Sequence, residues 1–82
     1  MRSKVDETIS KFVQELRDSY PDVVVELLEG RPPVVDAQLR IECTSHEQID
    51  RVSETVAHLT TKYYLDEGVY IQASATYTGA LL

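Results

Sequence analysis

From Val35 to Cys43 the chain reads Val-Asp-Ala-Gln-Leu-Arg-Ile-Glu-Cys, with apolar and polar residues alternating at every step. Successive side chains leave a strand on opposite sides, so this period of two describes a strand with one buried face and one wet face. No helical register gathers the same apolar residues onto one stripe. Val35, Ala37, Leu39, Ile41 and Cys43 are therefore read as core-facing, and Asp36, Gln38, Arg40 and Glu42 as outward. A strand that needs cover on one side only belongs in the middle of an antiparallel or mixed sheet.

The rest of the chain supplies the cover and the neighbours. Val5, Ile9, Phe12, Val13, Leu16 and Tyr20 recur at spacings of three and four, which predicts a helix over about 4–19. Ser3 is its expected N-cap, Asp6 and Glu7 sit where the helix dipole favours negative charge, and Pro21 drives Tyr20 out of the helical region. Val23-Val24-Val25-Glu26-Leu27-Leu28-Glu29 is rich in β-branched residues and reads as a strand over 23–29. With Glu26 outward, the set Val23, Val25 and Leu27 is preferred for the core over Val24 and Leu28. Gly30-Arg31-Pro32-Pro33 is a loop, and its two prolines favour a long, stiff connection into the strand over 34–43.

A second helix is expected over 45–65, because Thr44 with Glu47 and Ser45 with Gln48 both have the spacing of a capping box. Ile49, Val52, Val56, Leu59 and Tyr63 form its apolar stripe, and Gly68 is the natural break after it. A last strand spans 69–77, with Val69, Ile71, Ala73, Ala75 and Tyr77 alternating against Tyr70, Gln72, Ser74 and Thr76. The order is α-β-β-α-β. An antiparallel hairpin followed by a right-handed helical crossover predicts a three-stranded mixed sheet in the order 1-2-3, with both helices on one face. This is an α+β fold, a two-layer α/β sandwich. At 82 residues the chain has one core and is read as a single domain over 1–82.

Composition narrows the function classes. Fourteen acidic residues against eight basic give a net charge of −6, and the Lys and Arg residues are scattered, so nucleic acid is not an expected partner. No apolar run approaches the length of a membrane span, and the charged N-terminal residues lack the apolar core of a signal peptide. A single cysteine excludes an intramolecular disulfide, which leaves a reducing cytoplasm as the expected setting.

Chemistry-bearing residues are few. Cys43, His46 and Glu47 flank the turn from the central strand into the second helix and are the candidate ligands for a soft divalent metal. The alternation, however, turns Cys43 toward the core. His46 and His58 lie twelve residues apart on one helix, about 18 Å along its axis, and cannot share a site in one subunit. No serine has a nucleophile's elbow and the glycines are too isolated for a phosphate loop, so neither a catalytic role nor a cofactor is expected. What the pattern offers instead is surface. An open sheet face and two sheet edges invite self-association, with Val24, Leu28, Gln38, Arg40, Tyr70, Gln72 and the apolar tail residues Leu81 and Leu82 as candidate contacts. The mixed charges of Asp36, Arg40 and Glu42 limit repulsion if two such faces meet about a two-fold axis. Tyr64 joins Tyr70 as an aromatic suited to an interface.

The element order α-β-β-α-β, from the first helix to Thr76, resembles the cytosolic domain of cation diffusion facilitator transporters. That resemblance implies dimerisation and metal binding through histidines on the second strand, second helix and third strand. Here neither of those strands holds a histidine and His58 sits late on the helix, so no metal site is carried over. The expectation is a non-catalytic binding or oligomerisation module, a homodimer or the partner of another protein. The alternatives are a metal-responsive regulatory domain using Cys43, His46 and Glu47, or a small enzyme with a pocket lined by His58 or Cys43.

Overall fold

The first helix, α1, spans Lys4–Ser19 and starts where a donor is satisfied: the Ser3 hydroxyl accepts the Asp6 N–H at 3.1 Å. It ends before Pro21, with the Tyr20 N–H donating to the Leu16 carbonyl at 2.9 Å. The computed structural model describes residues 3–28 and 35–77 of the chain. After α1 come β1 (Val24–Leu28), β2 (Ala37–Glu42), α2 (His46–Glu67) and β3 (Ile71–Thr76).

The sheet runs β1-β2-β3, antiparallel between β1 and β2 and parallel between β2 and β3. The register places Leu27, Leu39 and Ala73 in one cross-sheet row and Val25, Ile41 and Ala75 in the next, all on the helix-covered side. Ala37, Leu39 and Ile41 are buried and pack with Phe12 and Leu16 of α1 and Val52, Val56, Leu59 and Tyr63 of α2 in one core. Both helices thus cover the same face, and the α+β sandwich is as the alternation of β2 requires. Each strand is shorter than its alternating pattern, since Val35, Cys43 and Val69 are buried without belonging to a strand. Burial follows the pattern beyond the point where the ladder stops. At its far end α2 runs two residues past the expected 65, and Gly68 closes it at φ 69° with its N–H on the Tyr64 carbonyl at 3.0 Å.

Some core assignments need correction. Leu27 points to the helix side, yet it is 58% exposed because β1 is an edge strand with little helix above its end. Tyr77 is half-buried and stacks edge-on against His46 at 4.7 Å instead of filling the core. Thr8 is buried within α1, its hydroxyl donating to the Lys4 carbonyl at 2.8 Å. That bond satisfies the one polar atom a threonine brings to an apolar site.

The two helices are also tied by charge. Glu15 of α1 accepts from Lys62 Nζ at 2.9 Å and from the Tyr63 hydroxyl at 2.8 Å. The Lys62 bond, followed by that of Tyr63, holds the Glu15 carboxyl below its usual range. Burial, and then the bond to Glu15, pushes the Tyr63 phenol up to about 12. Lys11 and Glu67 make a second, exposed link at 3.2 Å.

Candidate functional site

The strand-to-helix corner was the best place for ligand chemistry, and its side chains go separate ways. Cys43 is buried, its N–H donates to the Thr76 carbonyl at 2.7 Å, and burial pushes its thiol up. A raised thiol is a poor metal ligand or nucleophile near neutral pH. His46 opens α2 on the surface against Tyr77, and Glu47 is exposed in the first turn. The capping bonds come from Ser45 and Gln48: Ser45 Oγ accepts the Gln48 N–H at 3.2 Å, and Gln48 Oε1 accepts from the Thr44 N–H at 2.7 Å. Among the described residues no three His, Cys, Asp or Glu side chains converge on a point that would hold a metal ion. His58 stands exposed on α2.

The candidate contact residues fall on two surfaces. On the open sheet face, Leu28, Gln38 and Gln72 form one row and Glu26, Arg40 and Ser74 the next. Val24, 61% exposed, shares a third row with Glu42 and Thr76. Arg40 is already committed, since its Nη2 bonds both carboxylate oxygens of Glu26 at 3.0 and 3.1 Å. Among the described residues no cation pairs with Glu42, so this face carries surplus negative charge rather than the near-balance expected of Asp36, Arg40 and Glu42. Two copies meeting there would bring like charges together. Leu81 and Leu82 lie outside the described residues.

The second surface is the flank formed by α2 and the edge of β3, which pairs with no further strand among the described residues. Asp36 positions its upper end: the Asp36 N–H donates to the Tyr70 carbonyl at 2.9 Å, and Asp36 Oδ2 accepts the Tyr70 N–H at 2.8 Å. This clamp carries the parallel pairing one residue beyond β3 and sets Tyr70 edge-on to Tyr64, ring centroids 5.9 Å apart. Leu65, 74% exposed, completes an apolar cleft with the two tyrosines, floored by Thr60 and Thr61. The cleft continues into a trough of about 450 Å³ between α2 and β3, where the short side chains Ala73 and Ala75 leave space beneath Ser53 and Ala57.

Two features of this flank escaped the sequence reading. Ser53, Ala57, Thr60 and Tyr64 form a stripe at spacings of four, three and four, one residue beyond the core stripe Val52, Val56, Leu59 and Tyr63. The small side chains of Ser53, Ala57 and Thr60 carry little hydrophobic signal. Leu65 follows the tyrosine pair and belongs to neither stripe, so periodicity gave it no role. Comparison with family models, with curated proteins and with solved structures finds no match to this chain. The likeness to the transporter domain is one of element order alone.

Proposed function

We propose that this chain is a non-catalytic binding module that acts by self-association, with a homodimer as its working form. The observation that carries the reading is the α2–β3 flank. From Val69 to Tyr77 the chain holds no charged residue, although more than a quarter of the whole sequence is Asp, Glu, Lys or Arg. Edge strands that must stay unpaired usually present charge, most often lysine, to a would-be partner. Here the edge is uncharged and adjoins exposed Tyr64, Leu65 and Tyr70. On a molecule of net charge −6, an uncharged surface is where two copies can meet without setting like charges in contact.

A binding role also fits the chemistry of the clefts. The two on the α2–β3 flank are open troughs whose described lining is Thr, Ser, Ala, Gln, Val, Ile, Leu and Tyr, a mixed apolar and neutral-polar surface suited to contact with another chain. Size-exclusion chromatography with light scattering tests the reading. At high micromolar concentration the expected mass is twice the 9.3 kDa of one chain, and a single monomeric peak there would overturn it.

A further inference from the structure

We infer that two copies join edge to edge through β3, antiparallel about a two-fold axis at Ala73, into one continuous six-stranded sheet. This deepens the self-association reading and rests on it. The backbone decides which groups are available. Tyr70 and Thr76 direct their carbonyls to the N–H groups of Asp36, Ala37 and Cys43 on the β2 side, and the Tyr70 N–H also points there. In an extended strand the two backbone groups of a residue point the same way and alternate along the chain. The even-numbered residues of β3 thus bond β2, and Ile71, Ala73 and Ala75 present their N–H and C=O groups to the open edge.

Three alternate residues centred on Ala73 are self-complementary. A two-fold axis there pairs Ala73 with the partner's Ala73 and Ile71 with the partner's Ala75, the residues of each pair exchanging two bonds. The same operation lays the partner's α2 antiparallel beside α2 on the same side of the sheet. The stripe Ser53, Ala57 and Thr60 then meets its own copy across the axis. Small side chains on the facing stripes let the two α2 helices approach closely across the axis, whereas bulky ones would hold them, and the strand edges below, apart. The occupant to which we commit is a second copy, because the uncharged edge of β3 and the small-residue stripe of α2 line one trough, and a copy brings both a strand for the edge and a matching stripe for the helix. The absence of charge from both keeps like charges out of the contact itself, so that only the screened repulsion of the two net charges of −6 opposes pairing. The β1 edge has no such match, as it carries Glu26 and lies away from α2.

Ala73→Pro is the direct test. Its N–H points outward, so proline deletes bonds at the axis and spares the ladder to β2, a position an edge strand tolerates. Losing the two central bonds should raise the dimer dissociation constant about thirty-fold or more in sedimentation equilibrium. Ala57→Glu, on an exposed helix position that accepts glutamate freely, should do the same by setting two carboxylates face to face, and it guards against misfolding of the proline variant. Leu28→Asp, on the open sheet face, should leave the constant within about three-fold of the parent. If the parent dimerises and only Leu28→Asp dissociates it, edge pairing is wrong while self-association stands. If the parent grows into open polymers, the two-fold axis is wrong. If the parent is a monomer at high micromolar concentration, the self-association reading itself falls.

Discussion

Replacing Tyr63 by Phe removes one hydroxyl and keeps the ring, which rests 6.2 Å from Phe12 and 5.2 Å from the Lys62 ammonium. The lost bond is the 2.8 Å donation to Glu15 that helps fasten α1 to α2. A hydrogen bond to a charged partner contributes about 1.5–3 kcal/mol when enclosed. The Glu15 side chain is 41% exposed, so water recovers much of it, and we expect a cost of about 1 kcal/mol at neutral pH. The pH dependence is more telling. Tyr63 is pushed up to about 12, so above the ordinary phenol value the unfolded chain has lost a proton that the folded chain keeps. Its contribution is whole below pH ~10 and drains as pH rises toward 12, at no more than about 1.4 kcal/mol per pH unit. Phe lacks that loss, so the cost of the substitution should shrink and then change sign in alkali. At the acid end Glu15, held below the usual carboxylate range, contributes fully above its unfolded value and loses that contribution as pH falls through its lowered folded value. Tyr63 then loses its charged acceptor, and the substitution costs less. Urea unfolding of both proteins by circular dichroism, at one low concentration, should give a plateau near neutrality that falls away on both sides. A difference that is flat with pH, or absent at neutrality, would refute the clasp.

Thr8→Val should change stability by less than about 0.5 kcal/mol, because the Lys4 carbonyl keeps its helical N–H donor and the buried shape is retained. A urea midpoint shift worth more than about 1.5 kcal/mol would mean the hydroxyl has a further role. Gly68→Ala should cost about 1–2 kcal/mol from its φ of 69° alone, since a Cβ there meets no atom within 4 Å. Gly68→Asn should cost visibly less in the same assay, and equal losses would point to a packing cause instead.

The inner layer was legible because it is written in periods. Ala37, Leu39 and Ile41 alternate, Val52, Val56, Leu59 and Tyr63 recur every three or four, and both patterns continue unbroken into one core. The hairpin followed by a helical crossover then leaves few topologies. Errors arose where burial depends on what lies overhead rather than on the pattern. Leu27 alternates correctly and is exposed because β1 is an edge strand, while Thr8 is buried and its hydroxyl is satisfied by the Lys4 carbonyl. The surface was less legible. Tyr70 stands out as an aromatic, but alternation gives no sign that Asp36 holds it in place through the Tyr70 backbone. The Ser53, Ala57 and Thr60 stripe is informative through what it lacks in size and charge, and its meaning needs the neighbouring edge of β3. The charge of the open face depends on a pairing that alternation does not encode, since Arg40 binds Glu26 of its own chain.

Amide hydrogen exchange followed residue by residue by NMR, over a range of protein concentrations, tests the central claim most directly. The even-numbered amides Gln72, Ser74 and Thr76 bond β2 and should be protected at every concentration. Those of Ile71, Ala73 and Ala75 should exchange freely in dilute solution and gain protection together as concentration rises, because pairing with a second copy alone engages them. If these three still exchange at unprotected rates at the highest concentration, while their even-numbered neighbours stay protected, β3 remains a free edge and the account is contradicted.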